Sequence, residues 1–181
     1  FEMGARHANG DGLPQDWEAA FAWFRRAAEA GMGNAQHNLA VLYEQGRGTE
    51  AAPVEAVRWY ERAALQGYPQ SQYNLAAAHL HGFGTPRDMR KAIAWFERAA
   101  EQVPQAHFAL GEIFEGGTDM PRNLARARFH YLLAAAPPRP GLAARVGHMV
   151  LPAVQGEVHL VLPMQVVSRR NLLEEPLSLV T

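Results

Sequence analysis

An internal period of 36 residues constrains this chain more than any other feature. Trp23-Phe24, Trp59-Tyr60 and Trp95-Phe96 recur at that step, as do Gly10-x-Gly12, Gly46-x-Gly48 and Gly82-x-Gly84. Ala27-Ala28, Ala63-Ala64 and Ala99-Ala100 keep it too. Asn38-Leu39-Ala40 returns at Asn74-Leu75-Ala76, and Ala109-Leu110-Gly111 arrives one residue early. The missing residue falls at Val103-Pro104, where the earlier turns carry Gly31 and Gly67. A final copy, Asn123 to Ala136, keeps Ala127 and Ala134-Ala135 but places His130-Tyr131 in the aromatic slot. A fixed period of this length means stacked supersecondary units, none of which can bury its apolar face alone.

Each period holds two helical patterns. In the first, Ala35, Leu39, Leu42 and Tyr43 follow the i, i+4, i+7, i+8 spacing of an apolar helix stripe. In the second, running from Trp17 to Ala30, Ala20, Trp23, Phe24, Ala27 and Ala28 do the same. The Gly-x-Gly pairs stop the first helix, because glycine accepts the positive φ of a helix C-terminus. Pro14, Pro86 and Pro121 precede the second helix, and Pro53 falls in its first turn, where a missing N–H costs nothing. The Ala pairs let helices approach closely, and the large aromatics are expected to fill the space between repeats. On this reading Trp59→Ala opens a cavity. The predicted fold is all-α, a superhelical solenoid of about three and a half helix-pair repeats over residues 1–136.

The pattern resembles the Sel-1-like repeat family, relatives of the tetratricopeptide repeat. The likeness rests on Gly46-Arg-Gly48, Gly82-Phe-Gly84, Ala56-Val-Arg-Trp-Tyr-Glu-Arg-Ala-Ala64 and Ala92-Ile-Ala-Trp-Phe-Glu-Arg-Ala-Ala100. It implies a right-handed superhelix of antiparallel helix pairs and adaptor work in signalling, secretion or assembly. It also implies that an Asn before a Leu-Ala pair faces a concave groove and hydrogen-bonds the backbone of an extended peptide. Asn38 and Asn74 match that position; Glu2 and Ala109 do not. Val41, Ala77 and Glu112 lie one turn further along the same helices and extend the candidate groove. Gln105 and Ala109 stand where basic residues would complete a carboxylate clamp, so recognition of a free C-terminus is not expected. The bland alternative is that both Asn residues cap or space repeats. The fourth copy lacks its Trp, as suits a terminal repeat. Phe1 aligns with His37, so further repeats are expected before it.

Residues 137–181 read differently. Pro137-Pro138-Arg139-Pro140-Gly141 breaks the helix, and the period vanishes beyond it. Glu157–Leu162 and Met164–Val167 are β-branched and apolar, and read as extended segments. An isolated hairpin of that size is marginal, so residues 151–167 are expected to lie on a surface, in the groove or on a second copy, with a partly ordered C-terminal extension as the alternative.

Composition narrows the function. The 17 basic and 18 acidic residues balance, which argues against nucleic acid as a partner. Lys91 is the only lysine among the basic residues, an arginine bias that suits a GC-rich bacterial genome; the compartment is not fixed by it. No apolar run approaches the roughly 20 residues of a membrane span. There are no cysteines, so thiolate metal sites and disulfides are excluded. His7 and His79 share a slot with Tyr43 and Phe114, and His37 shares one with Tyr73 and Phe108, so they read as packing aromatics and no metal site is expected. His79 and His81 are i, i+2 on a helix and point to different faces. Gly-x-Gly recurs without Gly-Lys-Ser/Thr, so it reads as a helix stop and no cofactor is expected. The leading function is a scaffold that binds a protein or extended peptide. A structural subunit assembling through residues 151–167 is the alternative. A hydrolase, the activity implied for cysteine-rich relatives, finds none of their cysteines here.

Overall fold

The computed structural model describes residues 1–117 and 119–136. Both extended segments expected after residue 137, and the assembly assigned to them, lie outside the described residues. Within these, the chain forms eight helices: α1 Glu2–Asn9, α2 Trp17–Glu29, α3 Gly33–Gln45, α4 Pro53–Leu65, α5 Pro69–His81, α6 Met89–Ala99, α7 Pro104–Gly116 and α8 Leu124–Ala135. They alternate as first and second members of four pairs, each packed on its neighbours in sequence. The first pair is short: α1 has 8 residues where α3 has 13.

Helix ends fall where the sequence places them. Gly46 (φ 65°) and Gly82 (φ 74°) close α3 and α5 in the left-handed conformation. The second glycine of each pair has a different task. A Cβ on Gly48 would stand 2.0 Å from the Trp17 carbonyl oxygen, and one on Gly84 2.2 Å from that of Pro53. Each loop therefore lies against the first turn of the preceding second helix, one repeat back. The deleted residue shortens α6 to 11 residues, and the turn into α7 passes through Val103 without the positive-φ glycine of Gly31 or Gly67.

The core is built from the Ala pairs and from one ring of each aromatic pair. It is not the tryptophan. Phe24, Tyr60 and Phe96 are 3%, 3% and 1% exposed, whereas Trp23 is 37% exposed and Trp59 and Trp95 are half-buried. The expectation that Trp59 fills the space between repeats is corrected accordingly. The reason is geometric: adjacent residues on a helix point about 100° apart, so only one of the two can face the partner helix. The indoles lie at the margin, covered by a guanidinium one turn on: Arg62 is 4.3 Å from the Trp59 ring and Arg98 4.6 Å from that of Trp95.

One ring from each first helix pairs with one from the second helix of the same repeat. Phe1–Phe24, His37–Tyr60, Tyr73–Phe96 and Phe108–Tyr131 have centroids 5.6, 5.7, 5.3 and 5.5 Å apart, always 23 residues apart in sequence. Successive first helices also adjoin one another, as His37 Nδ1 on α3 and Ser71 Oγ on α5 show at 2.8 Å.

Candidate peptide-binding face

The candidate residues occupy equivalent places on α3, α5 and α7. Asn38 and Val41 on α3 and Asn74 on α5 are half-buried, Ala77 on α5 is 7% exposed, and Glu112 on α7 is exposed. The helix period explains the grouping, since residues three and four apart share a face. Val41 rests on the cluster of Ala40, Ala56, Tyr60, Ala64 and Leu75. Ala77 packs inward with Ala109 and Ile113.

Asn74 sits in a polar cluster that single-position reading does not reveal. The buried Tyr60 hydroxyl on α4 donates to Glu44 Oε2 on α3 at 2.6 Å. Burial, and then the negative charge of Glu44, hold the Tyr60 phenol well above its usual pKa, while a hydrogen bond from Asn74 works the other way. Three consecutive helices thus bring a carboxylate, a phenol and an amide together. In the next repeat the corresponding positions are Leu80, Phe96 and Ala109, and the same place turns apolar. There Leu80 and His81 of α5, Met89 of α6, Ala109, Glu112 and Ile113 of α7, and Arg87 line an open cleft of about 350 Å³. Glu112 is brought to this cleft; Asn38 and Asn74 are not among its walls. Burial, then the neighbouring Glu115, raise the Glu112 carboxyl above its ordinary pKa. Arg87, opposite, forms an ion pair with Asp119.

The first helices therefore carry half-buried amides at Asn38 and Asn74, equivalent places one repeat apart, and an exposed carboxylate at Glu112 on the next. The Tyr–Glu clusters were missed by sequence reading. Their signal is a joint change: Tyr60 with Glu44 and Tyr131 with Glu115, each 16 residues apart, against Phe96 with Leu80.

The histidines divide as expected between packing and surface. His79 is 8% exposed and His81 exposed. His130, in the tryptophan slot, stacks on Phe114 at 5.6 Å and sets its Nδ1 3.1 Å from that of His107. Among the described residues no three His, Asp or Glu side chains converge as a metal site, and no helix is long and apolar enough to cross a membrane.

The Sel1 repeat matches four segments of the chain, residues 1–32, 33–68, 69–103 and 104–136, each one helix pair. Two solved structures are similar. The first is c5321, a protective antigen of uropathogenic Escherichia coli strains displaying an SLR fold, with 36% identity and a TM-score of 0.73. The second is a Sel1 repeat protein from Oxalobacter formigenes, with 30% identity and a TM-score of 0.71. Both matches cover 74% of this chain, which spans only 29% and 55% of those two chains respectively. No curated protein matches it. Four consecutive repeat matches, each coinciding with an observed helix pair, place the chain in the Sel1 repeat family.

Proposed function

We propose that this chain binds an extended segment of a partner protein along α3, α5 and α7, and so works as an interaction scaffold. Sel1 repeat proteins are typically protein-interaction scaffolds, and the fold is typically non-catalytic. The observation that carries the reading is the repeated face itself. Asn38 and Asn74 stand one repeat apart on equivalent faces, and the cleft containing Glu112 opens on the next first helix. An extended peptide offers its own N–H and C=O groups to such amides and one side chain to the cleft.

Peptides selected from a random displayed library on the immobilised chain test this. The double change Asn38→Ala, Asn74→Ala should weaken the selected peptides about tenfold or more, the worth of one or two hydrogen bonds. Its thermal midpoint should stay near that of the parent. Undiminished binding by a folded double variant removes the amides from the site, and an unchanged affinity in Glu112→Ala removes the cleft.

A further inference from the structure

The fourth repeat holds a pair of histidines that the second and third lack. His107 on α7 and His130 on α8 set their Nδ1 atoms 3.1 Å apart, one donating and the other accepting. In the second and third repeats these two places hold Gln36 with Trp59 and Gln72 with Trp95. Gln36 and Gln72 donate backwards, to the Ala28 and Ala64 carbonyls of the preceding second helix, each at 3.2 Å. His107 reaches forwards, to its own partner helix. Two positions have changed together, and the fold brings both to one contact.

That contact lies where α8 is seated on α7. His130 is 7% exposed and stacks on Phe114, itself 1% exposed. One residue on, the Tyr131 ring lies over Gly111, so closely that a Cβ there would stand 2.5 Å from it. His107 is half-buried, at the edge of the seat, which gives a proton its way in.

The bond needs one of the two facing nitrogens bare. Once both imidazoles are charged, two N–H groups and two positive charges meet at that distance. The surrounding charges offer no relief. Glu97 of α6 already pairs with Arg126 of α8 at 3.3 Å, and Glu115 of α7 accepts from the Tyr131 hydroxyl. Among the described residues neither ring pairs with a carboxylate. Burial lowers the pKa of both histidines; at His130 the charges of His107 and Arg126 add to it, and Glu97 works against it. In a released helix each imidazole takes up its proton near pH 6.5. The contact therefore holds α8 fully above pH 6.5 and loses its hold as pH falls below that value.

We propose that the His107–His130 contact is an acid-sensitive clasp, which holds α8 on α7 at neutral pH and releases it in mild acid. Release uncovers Phe114 on the helix that also carries Glu112, and so acts on the end of the candidate face. The clasp itself does not depend on what that face binds.

Hydrogen exchange of the full chain at pH 7.5 and 5.0, corrected for intrinsic rates, tests this helix by helix. Opening of residues 124–135 should rise about tenfold or more between the two, the scale of one imidazole kept neutral from pH 6.5 to about 5. The double change His107→Gln, His130→Trp, which restores the residues of the second and third repeats, should remove most of that rise. It should leave the response of residues 33–45, which contain His37, as it was. Histidine ring resonances of the parent, assigned with His107→Gln, give a second reading that needs no double variant. The pair should titrate in two steps, at least one displaced below the ordinary histidine range. Two independent titrations near pH 6.5 overturn the proposal. So does an absent rise at residues 124–135 in the parent, or an equal rise in the parent and a folded double variant.

Discussion

The Tyr60 hydroxyl reaches the Glu44 carboxylate at 2.6 Å, and Tyr131 reaches Glu115 at 2.8 Å across the same 16-residue interval. Between these repeats Phe96 faces a position held by Leu80. The chain thus solves one packing problem in two ways, polar with polar and apolar with apolar. Removing one member of the polar solution leaves a half-buried acceptor without its donor. Tyr60→Phe should cost about 1–2 kcal/mol in urea unfolding. Adding Glu44→Leu, which copies the Leu80–Phe96 solution, should recover most of that loss. A double variant no more stable than Tyr60→Phe alone would mean that the pair is not coupled.

The two rings of each Trp-aromatic pair should differ in weight. Phe96 is 1% exposed and lies inside the core cluster, while Trp95 packs on its edge under Arg98. Phe96→Ala should cost about 3–5 kcal/mol, a full core truncation. Trp95→Ala, whose site is open on one side, should cost about 1–2 kcal/mol. Thermal or urea midpoints that reverse this order would contradict the assignment of the buried ring.

Acid should weaken the fold through His37. Its ring packs beside Tyr60 and Ser71, and burial lowers its pKa to about 4. An unfolded histidine takes up its proton near pH 6.5. The neutral ring's contribution is therefore fully present above pH 6.5 and is lost as pH falls from 6.5 towards 4. The total is about 2–3 kcal/mol, allowing for partial exposure. Urea midpoints from pH 7 to 4.5 should fall less in His37→Phe, which keeps a ring and cannot charge, than in the parent. Parallel pH profiles would remove His37 as the cause.

Much of this architecture was legible because a repeat is its own control. The turns followed from glycine chemistry at Gly46 and Gly82, and the helix stripes from spacing at Ala35, Leu39 and Leu42. The division of labour within Trp59-Tyr60 was not legible, because both residues are large and apolar and only the rotation of the helix decides which one is enclosed. The candidate face was legible as a set of positions and not as a set of contacts. Asn74 looked like a free amide until the neighbouring helix brought Tyr60 beside it. The cleft beside Glu112 needed Leu80 and Ala109 to face each other across two helices, a relation that spacing within one helix does not express.

One repeat lacks a device that the other three share, and supplying it should stabilise the protein. Asp16, Asp88 and Asn123 each begin a second helix and accept a hydrogen bond from the backbone N–H three residues on, at 2.9, 3.0 and 3.0 Å. The equivalent residue before α4 is Ala52, which has no side-chain acceptor. Its backbone is already set for one: φ −136° and ψ 81°, against φ −136° and ψ 89° at Asn123. A cap here satisfies a backbone donor that the first turn of α4 otherwise leaves to water. Asparagine is the better choice over aspartate, because Glu55 lies in the same turn and a second carboxylate would repel it. Ala52→Asn should raise stability by about 1 kcal/mol, and Ala52→Gly by a few tenths less, since glycine is a far better N-cap than alanine. Differential scanning calorimetry of the three proteins checks this. An unchanged or lower midpoint for Ala52→Asn would show that the first turn of α4 gains nothing from a side-chain acceptor, for all its likeness to its three counterparts.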